Sequence, residues 1–140
     1  MADRVIKSDE EWRRVLSEQQ FYVMRLKGSE RAYTGAYWDH YEEGVYHCAA
    51  CGLLLFSSDD KFASHTGWPS FTAPAAPAHV YTETDSVGGK TSTEAICRRC
   101  NSHLGHVFPD GPRPNHLRYC INSIALTFEG RSPGVEPAER

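Results

Sequence analysis

Two pairs of closely spaced cysteines constrain this 140-residue chain more than any other feature. Cys48 and Cys51 form one CxxC pair, Cys97 and Cys100 form a second, and residues 52–96 separate the two pairs. A tetrahedral Zn²⁺ ion takes four thiolates at about 2.3 Å, and a two-residue spacer lets one tight turn supply two of them. The pattern predicts a closed, structural Cys₄ zinc site that holds two distant segments together.

Other interpretations of these cysteines stay open at this point. Redox-active pairs of the thioredoxin type would each begin a helix in a βαβ setting, which neither pair has. His47, His103 and His106 lie near enough in sequence to compete as metal ligands. Four thiolates from two tight turns are the simpler set. The binding energy of such a zinc, on the order of 10 kcal/mol in zinc-finger peptides, is largely folding energy.

The composition is typical of an ordinary globular protein. Hydrophobic residues make up 40% of the chain and charged residues 24%, and we expect a single domain, 1–140, with its core from about 8 to 128. A net charge of −3 and a pI near 6.1 argue against a nucleic-acid-binding surface. The chain lacks an apolar run of the roughly 20 residues that a membrane helix needs, and its first residues do not resemble a signal peptide. Cysteines that bind metal must stay reduced, as they do in the interior of the cell, so we expect a cytoplasmic protein.

The first third of the chain has helical patterns. Ser8 to Glu11 reads as a capping box, and Trp12, Val15 and Leu16 would then form one apolar face. A second helix is predicted from about Gln19 to Leu26, with Gly28 as the residue that terminates it.

Short strands and turns are predicted from Gly35 onward. The expected elements are a hairpin of 45–47 and 53–56 around the first cysteine pair, a connector at 73–78, strands at 80–82 and 91–96 joined by a turn at 86–90, and a last strand at 117–128. Because strand side chains alternate, Arg118, Cys120 and Asn122 should share one face of that last strand. A flexible tail is expected at 129–140.

The fifth cysteine, Cys120, has no partner once the other four bind metal. An unpaired cysteine is often buried and inert. Arg118 on the same face would favour the thiolate, however, and Asn122 offers an amide that can orient a substrate or a water molecule. A reactive thiol and a structural one are both open on this pattern.

Two further motifs have both a functional and a structural interpretation. His103 and His106 follow the second cysteine pair, so they are either catalytic acids or bases held in place by the metal site or loop histidines bonded to the backbone. Trp68, between Gly67 and Pro69, is either a core residue or the aromatic wall of a small pocket for a sulfur-bound methyl group.

Six motifs, taken in order, make the chain resemble a known family. They are RAYTG at 31–35, CAACG at 48–52, GWPSF at 67–71, CRRC at 97–100, HLGHVFPDG at 103–111 and RYCINS at 118–123. Together they resemble the type B methionine sulfoxide reductases, and the resemblance runs from about Ser8 to Phe128. The HLGHVFPDG and RYCIN elements are specific to that family.

The resemblance implies a mainly β fold of the α+β class. Two small antiparallel β-sheets would form a barrel-like or sandwich-like core, with N-terminal helices and a Cys₄ zinc site far from the active site. It also implies an oxidoreductase that reduces the R epimer of methionine sulfoxide, free or in proteins, and so repairs oxidative damage. Separate enzymes reduce the two epimers.

The resemblance also implies a role for each site residue. Cys120 is the implied nucleophile, which attacks the sulfoxide sulfur and is left as a sulfenic acid. His106 is the implied acid that protonates the departing oxygen, and His103 and Asn122 place substrate and water.

The substrate side of the implied site is aromatic. Trp68 would receive the ε-methyl group, with Phe71 and Phe108 as further substrate-binding residues. Arg118 and Asp110 would orient the site and adjust its charge.

One position departs from the family pattern. Many members have a resolving cysteine immediately before the GWPSF element, where this chain has Thr66. With four of the five cysteines expected on zinc, we expect a 1-Cys enzyme whose sulfenic acid is reduced from outside. The implied reductants are thioredoxin, or glutathione with glutaredoxin. We expect a monomer that binds neither nucleic acid nor membrane.

Two rival functions fit part of the pattern. A non-catalytic zinc-ribbon module that binds protein or nucleic acid would explain the cysteine pairs and leave Cys120 as a buried thiol. The acidic pI and the lack of a basic stripe argue against it. A zinc hydrolase needs an open coordination position, which four cysteine ligands do not leave.

Overall fold

The computed structural model describes residues 4–87 and 90–131 of the chain. The first helix, α1, spans Asp9–Val15 and begins with the predicted capping box. The Ser8 hydroxyl accepts from the Glu11 amide at 3.2 Å, and the Glu11 carboxylate accepts from the Ser8 amide at 2.9 Å. Trp12 is fully buried, but Val15 is 60% exposed, so the predicted apolar face is narrower than expected.

The second helix, α2, spans Glu18–Met24. It begins one residue earlier than predicted because Ser17 and Gln20 form a second capping box. It ends two residues earlier than predicted, although the Gly28 amide still donates to the Tyr22 carbonyl. Across the described parts of the chain, no helix has the length and apolar character needed to cross a membrane.

The rest of the fold is two antiparallel sheets, as the resemblance implied. The strands are β1 Gly44–Cys48, β2 Leu54–Ser57, β3 Lys61–Phe62, β4 Ser70–Phe71, β5 Val80–Val87, β6 Lys90–Cys97, β7 His103–Phe108, β8 Arg118–Ile121 and β9 Leu126–Gly130. Short 3₁₀ helices span Ser58–Asp60, Pro77–His79 and Ser123–Ala125. One sheet has the order β2-β1-β9 and the other β3-β4-β8-β7-β6-β5, which makes the fold mainly β and sandwich-like, without a closed barrel among the described residues.

The prediction of a single last strand at 117–128 is wrong. The chain leaves the six-stranded sheet at Ile121, turns through the 3₁₀ helix Ser123–Ala125, and enters the three-stranded sheet as β9. Because β9 reaches Gly130, the expected flexible tail cannot begin at residue 129, and its remainder at 132–140 lies outside the described residues. The predicted turn at 86–90 is shorter than expected, since β5 extends to Val87 and β6 begins at Lys90, and residues 88–89 are likewise outside the described part.

The core lies between the two sheets. Phe56 on β2 stacks on Phe71 on β4, with ring centroids 4.4 Å apart and planes inclined by 18°. Tyr46 on β1 packs edge-on against Phe71 at 5.3 Å, and all three rings are fully buried. These contacts join the sheets through large apolar side chains, so strands that are distant in sequence are held in a fixed relation.

Strand register places one polar row across the six-stranded sheet. Ser70 on β4 pairs with Cys120 on β8, Cys120 pairs with His106 on β7, and His106 pairs with Glu94 on β6. Directly opposed residues of an antiparallel pair project to the same face of a sheet. The thiol, the imidazole and the carboxylate therefore come from three neighbouring strands onto one face.

Candidate active site

The four paired cysteines form one cluster, as predicted from their spacing. Their sulfur atoms all lie within 4.8 Å of one another, an arrangement that can hold a metal ion. The Sγ atoms of Cys48 and Cys100 are 3.6 Å apart, as are those of Cys51 and Cys97. The first pair lies at the β1–β2 hairpin and the second between β6 and β7, so a bound ion would join the two sheets.

The two cysteine turns have the same local geometry. The Gly52 amide donates to the Cys48 carbonyl at 2.8 Å, and the Asn101 amide donates to the Cys97 carbonyl at 2.9 Å. Both donors have positive φ, +82° for Gly52 and +64° for Asn101. Glycine and asparagine are the residues that adopt this left-handed conformation at least cost. Each CxxC turn is thus closed by a hydrogen bond of its own backbone.

His47, one of the alternative ligands considered, is engaged elsewhere. Its two ring nitrogens lie 3.1 Å from the Gly52 carbonyl and 3.0 Å from Oε1 of Glu129. The described residues contain no other group of three or more metal-ligating side chains with this geometry.

Cys120 lies in a cavity of about 220 Å³, called here the Cys120 pocket. It is lined by Ser29, Thr66, Trp68, Gly105, His106, Phe108, Arg118, Cys120 and Asn122. The predicted face of Arg118, Cys120 and Asn122 therefore does line one cavity. The cluster of four cysteines shares no residue with it.

The thiol of Cys120 is half-buried, and this burial raises its pKa above the ordinary value. The Arg118 guanidinium and the Thr66 hydroxyl lower the pKa, but burial outweighs them. Arg118 therefore favours the thiolate, as expected from the sequence, but its effect does not bring the pKa of the thiol below the ordinary value. At neutral pH Cys120 carries its proton.

Arg118 is fixed by two neighbours. It forms a bidentate pair with Asp110, Nε to Oδ1 at 2.8 Å and Nη2 to Oδ2 at 3.1 Å, and this pairing lowers the pKa of the Asp110 carboxyl. The guanidinium also lies over the Phe108 ring, 4.4 Å from its centroid. Asp110 is outside the Cys120 pocket, so its contact with the pocket is through Arg118.

His106 lies opposite Cys120 and is neutral at pH 7. Burial lowers its pKa below the ordinary value, and His103 lowers it further, while the Glu94 carboxylate opposes both. The ring centroids of His103 and His106 are 5.2 Å apart in an edge-on arrangement. The resting site therefore pairs a thiol with a neutral imidazole.

His103 lies behind the pocket and is held by an acidic residue that sequence reasoning missed. Its Nδ1 is 2.7 Å from Oε2 of buried Glu94, whose Oε1 is 3.3 Å from Nζ of Lys27. An ionised carboxylate only accepts, so Nδ1 of His103 donates to Glu94. The Nε2 atom of His103 is buried without a hydrogen-bond partner among the described residues.

Glu30, a second missed residue, joins two predicted site residues. Its amide donates to Oδ1 of Asn122 at 3.0 Å, and its carbonyl accepts from Nε1 of Trp68 at 3.1 Å. Asn122 also donates from Nδ2 to the Leu104 carbonyl at 3.1 Å. Both ends of the Asn122 amide are thus bonded to backbone. No sequence motif marks Glu30 or Glu94, because each is defined by contacts across more than one element.

Phe71 is a correction to the predicted substrate-binding set. It is fully buried against Phe56 in the core and does not line the Cys120 pocket. The reason is strand alternation, since Ser70, opposite Cys120, occupies the pocket side of β4 and Phe71 takes the opposite face. Trp68 and Phe108 do line the pocket.

Known proteins resemble this chain over most of its length. The SelR domain matches residues 16–130. A peptide methionine sulfoxide reductase MsrB of Thiobacillus denitrificans is 57% identical over 87% of this chain and 92% of its own. The protein of the same name from Methanosarcina barkeri is 48% identical over 100% of this chain and 99% of its own. The chain therefore belongs to the SelR family, that of the peptide methionine sulfoxide reductases MsrB.

A solved structure supports the fold independently. The crystal structure of the Mis18 "Yippee-like" domain superposes with a TM-score of 0.51, covering 65% of this chain and 99% of that domain. At 18% sequence identity this likeness concerns the fold alone.

Proposed function

We propose that this oxidoreductase reduces methionine-R-sulfoxide, free or in proteins, to methionine through a sulfenic acid at Cys120. The relatives are named as peptide methionine sulfoxide reductases, and methionine sulfoxide reduction is the reaction of the family. The observation that carries the proposal is the pairing of Cys120 with His106 across β7 and β8, at a pocket that also contains Trp68.

The proposed first step transfers oxygen from the substrate to the enzyme. The Cys120 sulfur forms a bond to the sulfoxide sulfur, and the sulfoxide oxygen then moves onto the Cys120 sulfur as this S–S bond and the S–O bond of the substrate both break. Methionine leaves, and Cys120 holds the oxygen as Cys–SOH. The thiol loses two electrons, the sulfoxide sulfur gains two, and the proton of the thiol ends on the transferred oxygen.

His106 is the proposed carrier of that proton. In the resting pocket the proton is on Cys120, because burial raises the pKa of the thiol and lowers the pKa of the imidazole. Movement of one proton from sulfur to His106 produces a thiolate and an acid side by side, without exchange with solvent. The protonated sulfoxide oxygen then makes its sulfur electrophilic, which a thiolate alone would not do.

The remaining pocket residues bind and orient in this proposal. Trp68 receives the ε-methyl group of the substrate, with Phe108 beside it. Arg118, fixed by Asp110, stabilises the thiolate as it forms. Asn122, through its bonds to Glu30 and Leu104, keeps the pocket wall in place.

The 1-Cys cycle is part of the proposal and is supported by the position of Thr66. The Thr66 hydroxyl lies in the Cys120 pocket and lowers the pKa of the thiol, so this wall carries an oxygen at the position of the family's resolving cysteine. Two equivalents of an external thiol would convert Cys–SOH to the thiol, releasing water and a disulfide. Thioredoxin or glutathione with glutaredoxin are the proposed donors. Mass spectrometry after one turnover should find no intrachain disulfide at Cys120, and finding one would refute the 1-Cys cycle.

Zinc is the proposed ion for the cysteine cluster. Four thiolates at about 2.3 Å from a tetrahedral ion lie about 3.8 Å from one another, close to the 3.6 Å separations found here. Cys48, Cys51, Cys97 and Cys100 would hold it. A closed site of this kind contributes folding energy and leaves the chemistry to the Cys120 pocket.

The cellular setting completes the proposal. All five cysteines are free of disulfides, which suits the reducing cytoplasm and its thiol donors. We propose a single-domain monomer with no nucleic-acid or membrane partner.

The deciding experiment is epimer-resolved consumption of methionine sulfoxide by the zinc-loaded protein, with dithiothreitol as reductant. Loss of the R epimer alone is expected. If neither epimer is consumed by folded protein that holds one zinc, the proposal fails and the non-catalytic zinc module becomes the better interpretation.

His106 has a test of its own. We expect His106→Ala to slow the single-turnover rate with little change in fold. A rate equal to that of the wild type would remove His106 from its proposed role.

A further inference from the structure

The Cys120 pocket is too small to hold more than the end of a substrate. Its volume of about 220 Å³ is below the roughly 300–1,000 Å³ of pockets that enclose a drug-sized ligand. A sulfoxide side chain fits this space, and the backbone and neighbours of a residue within a polypeptide do not. Those parts must lie on the surface next to the pocket.

A larger groove begins at the edge of the pocket. It has a volume of about 690 Å³ and runs between α2, the segment 29–37 and the 3₁₀ helix Ser123–Ala125. We call it the α2 groove. Ser29 lines both the α2 groove and the Cys120 pocket, so the two cavities are adjacent.

The walls of the α2 groove are mixed in chemistry. Tyr22 is 54% exposed there, and exposed Gln19 and Thr34 add an amide and a hydroxyl. Glu30 and Arg31 bring one charge of each sign. An aromatic ring beside hydrogen-bonding groups with little net charge suits a peptide of mixed sequence.

The floor of the α2 groove is preformed and joined to the catalytic residues. Glu30 accepts from the Ile124 amide through Oε1 at 2.9 Å, and the Ser123 hydroxyl accepts from the Tyr37 amide at 3.1 Å. The backbone of Glu30 also bonds Asn122 and Trp68, as described above. A segment bound in the groove would therefore lie at a fixed position relative to the Cys120 pocket.

We propose that the α2 groove binds the polypeptide that flanks the sulfoxide residue of an oxidised protein. The inference rests on the proposed function and adds where a protein substrate is held. It predicts that peptide substrates use contacts that free methionine sulfoxide does not reach.

The test is a bulky side chain in the groove, assayed with two substrates. Ala36 is exposed and lines the α2 groove, so Ala36→Trp should obstruct it without touching the Cys120 pocket. Against a ten-residue peptide containing one methionine sulfoxide, kcat/KM should fall by roughly tenfold or more. With N-acetylmethionine sulfoxide it should stay within about twofold, the size of ordinary surface effects.

Two further variants complete the design. Ala78→Trp makes the same change at an exposed residue of the 3₁₀ helix Pro77–His79, outside the groove, and should affect neither substrate. Gln19→Trp, on the α2 side of the groove, should reproduce the peptide-specific loss. Equal loss with both substrates, or no loss with the peptide in both groove variants, would overturn the inference. If the wild type consumes neither substrate, the proposed function fails instead.

Discussion

Gly105 gives the sharpest test of how closely strands β7 and β8 must approach. A Cβ at this position would lie 3.0 Å from the carbonyl carbon of Cys120 and from Cα of Ile121, and nearer still to the Cys120 carbonyl oxygen. Carbon atoms pack at about 3.5–4.0 Å, so Gly105→Ala requires the strands to separate by about 1 Å. The cost in stability should be about 1–3 kcal/mol, the usual range for overpacking.

The effect on catalysis should exceed the effect on folding. The next residue pair along the strands is His106 with Cys120, so the same displacement separates the proposed acid from the proposed nucleophile. A misplacement of about 1 Å can cost roughly 100-fold in rate. Single-turnover reduction of methionine sulfoxide by Gly105→Ala, measured under conditions where the protein is folded and holds its metal, should therefore slow by about that factor.

Gly130 supplies the matched control. Among the described residues, a Cβ on Gly130, in β9, would meet only the Phe128 ring at 3.5 Å, an ordinary contact. Gly130→Ala should change stability by no more than about 0.5 kcal/mol and leave the rate unchanged. If Gly105→Ala matched the wild type in both denaturant midpoint and single-turnover rate, the argument from strand separation would be wrong.

Three further outcomes are expected. Replacement of Arg118 by Met removes a cation that lowers the pKa of Cys120, so the single-turnover rate should rise only at more alkaline pH than in the wild type; an unshifted profile would exclude thiolate stabilisation by Arg118. Glu94→Gln removes a carboxylate that raises the pKa of His106, so the part of the pH–rate profile that reports protonated His106 should move to lower pH. A change in rate without that shift would contradict the effect of the Glu94 charge on the pKa of His106. Removal of the metal with a chelator under reducing conditions should abolish cooperative thermal unfolding. The reason is that a metal-binding energy of about 10 kcal/mol is comparable with the whole free energy of unfolding of a domain. An unchanged melting curve for the metal-free protein would show that the cysteine cluster is not a structural metal site.

Local features were the ones that sequence reasoning predicted well. The capping box at Ser8 needs only a hydroxyl and a carboxylate three residues apart, and it forms as expected. Ser17 and Gln20 have the same spacing and form a second capping box, which sets the start of α2. The division of 117–128 into two strands was not predicted, because side chains alternate between two faces in the same way in the strands of either sheet. Only pairing with β1 reveals that Leu126–Gly130 belongs to another sheet.

The sequence by itself determined the cluster of four cysteines and the family, since a CxxC turn closes within five residues and a motif is a linear pattern. It also identified Cys120 as the cysteine left over. Only the tertiary structure decided what surrounds that thiol. The register of three strands sets His106 opposite Cys120 and Glu94 behind it, and packing sends Phe71 into the core. Whether the pKa of Cys120 rises or falls depends on the effect of burial against the effects of the Arg118 guanidinium and the Thr66 hydroxyl, a balance that exists only in the folded protein.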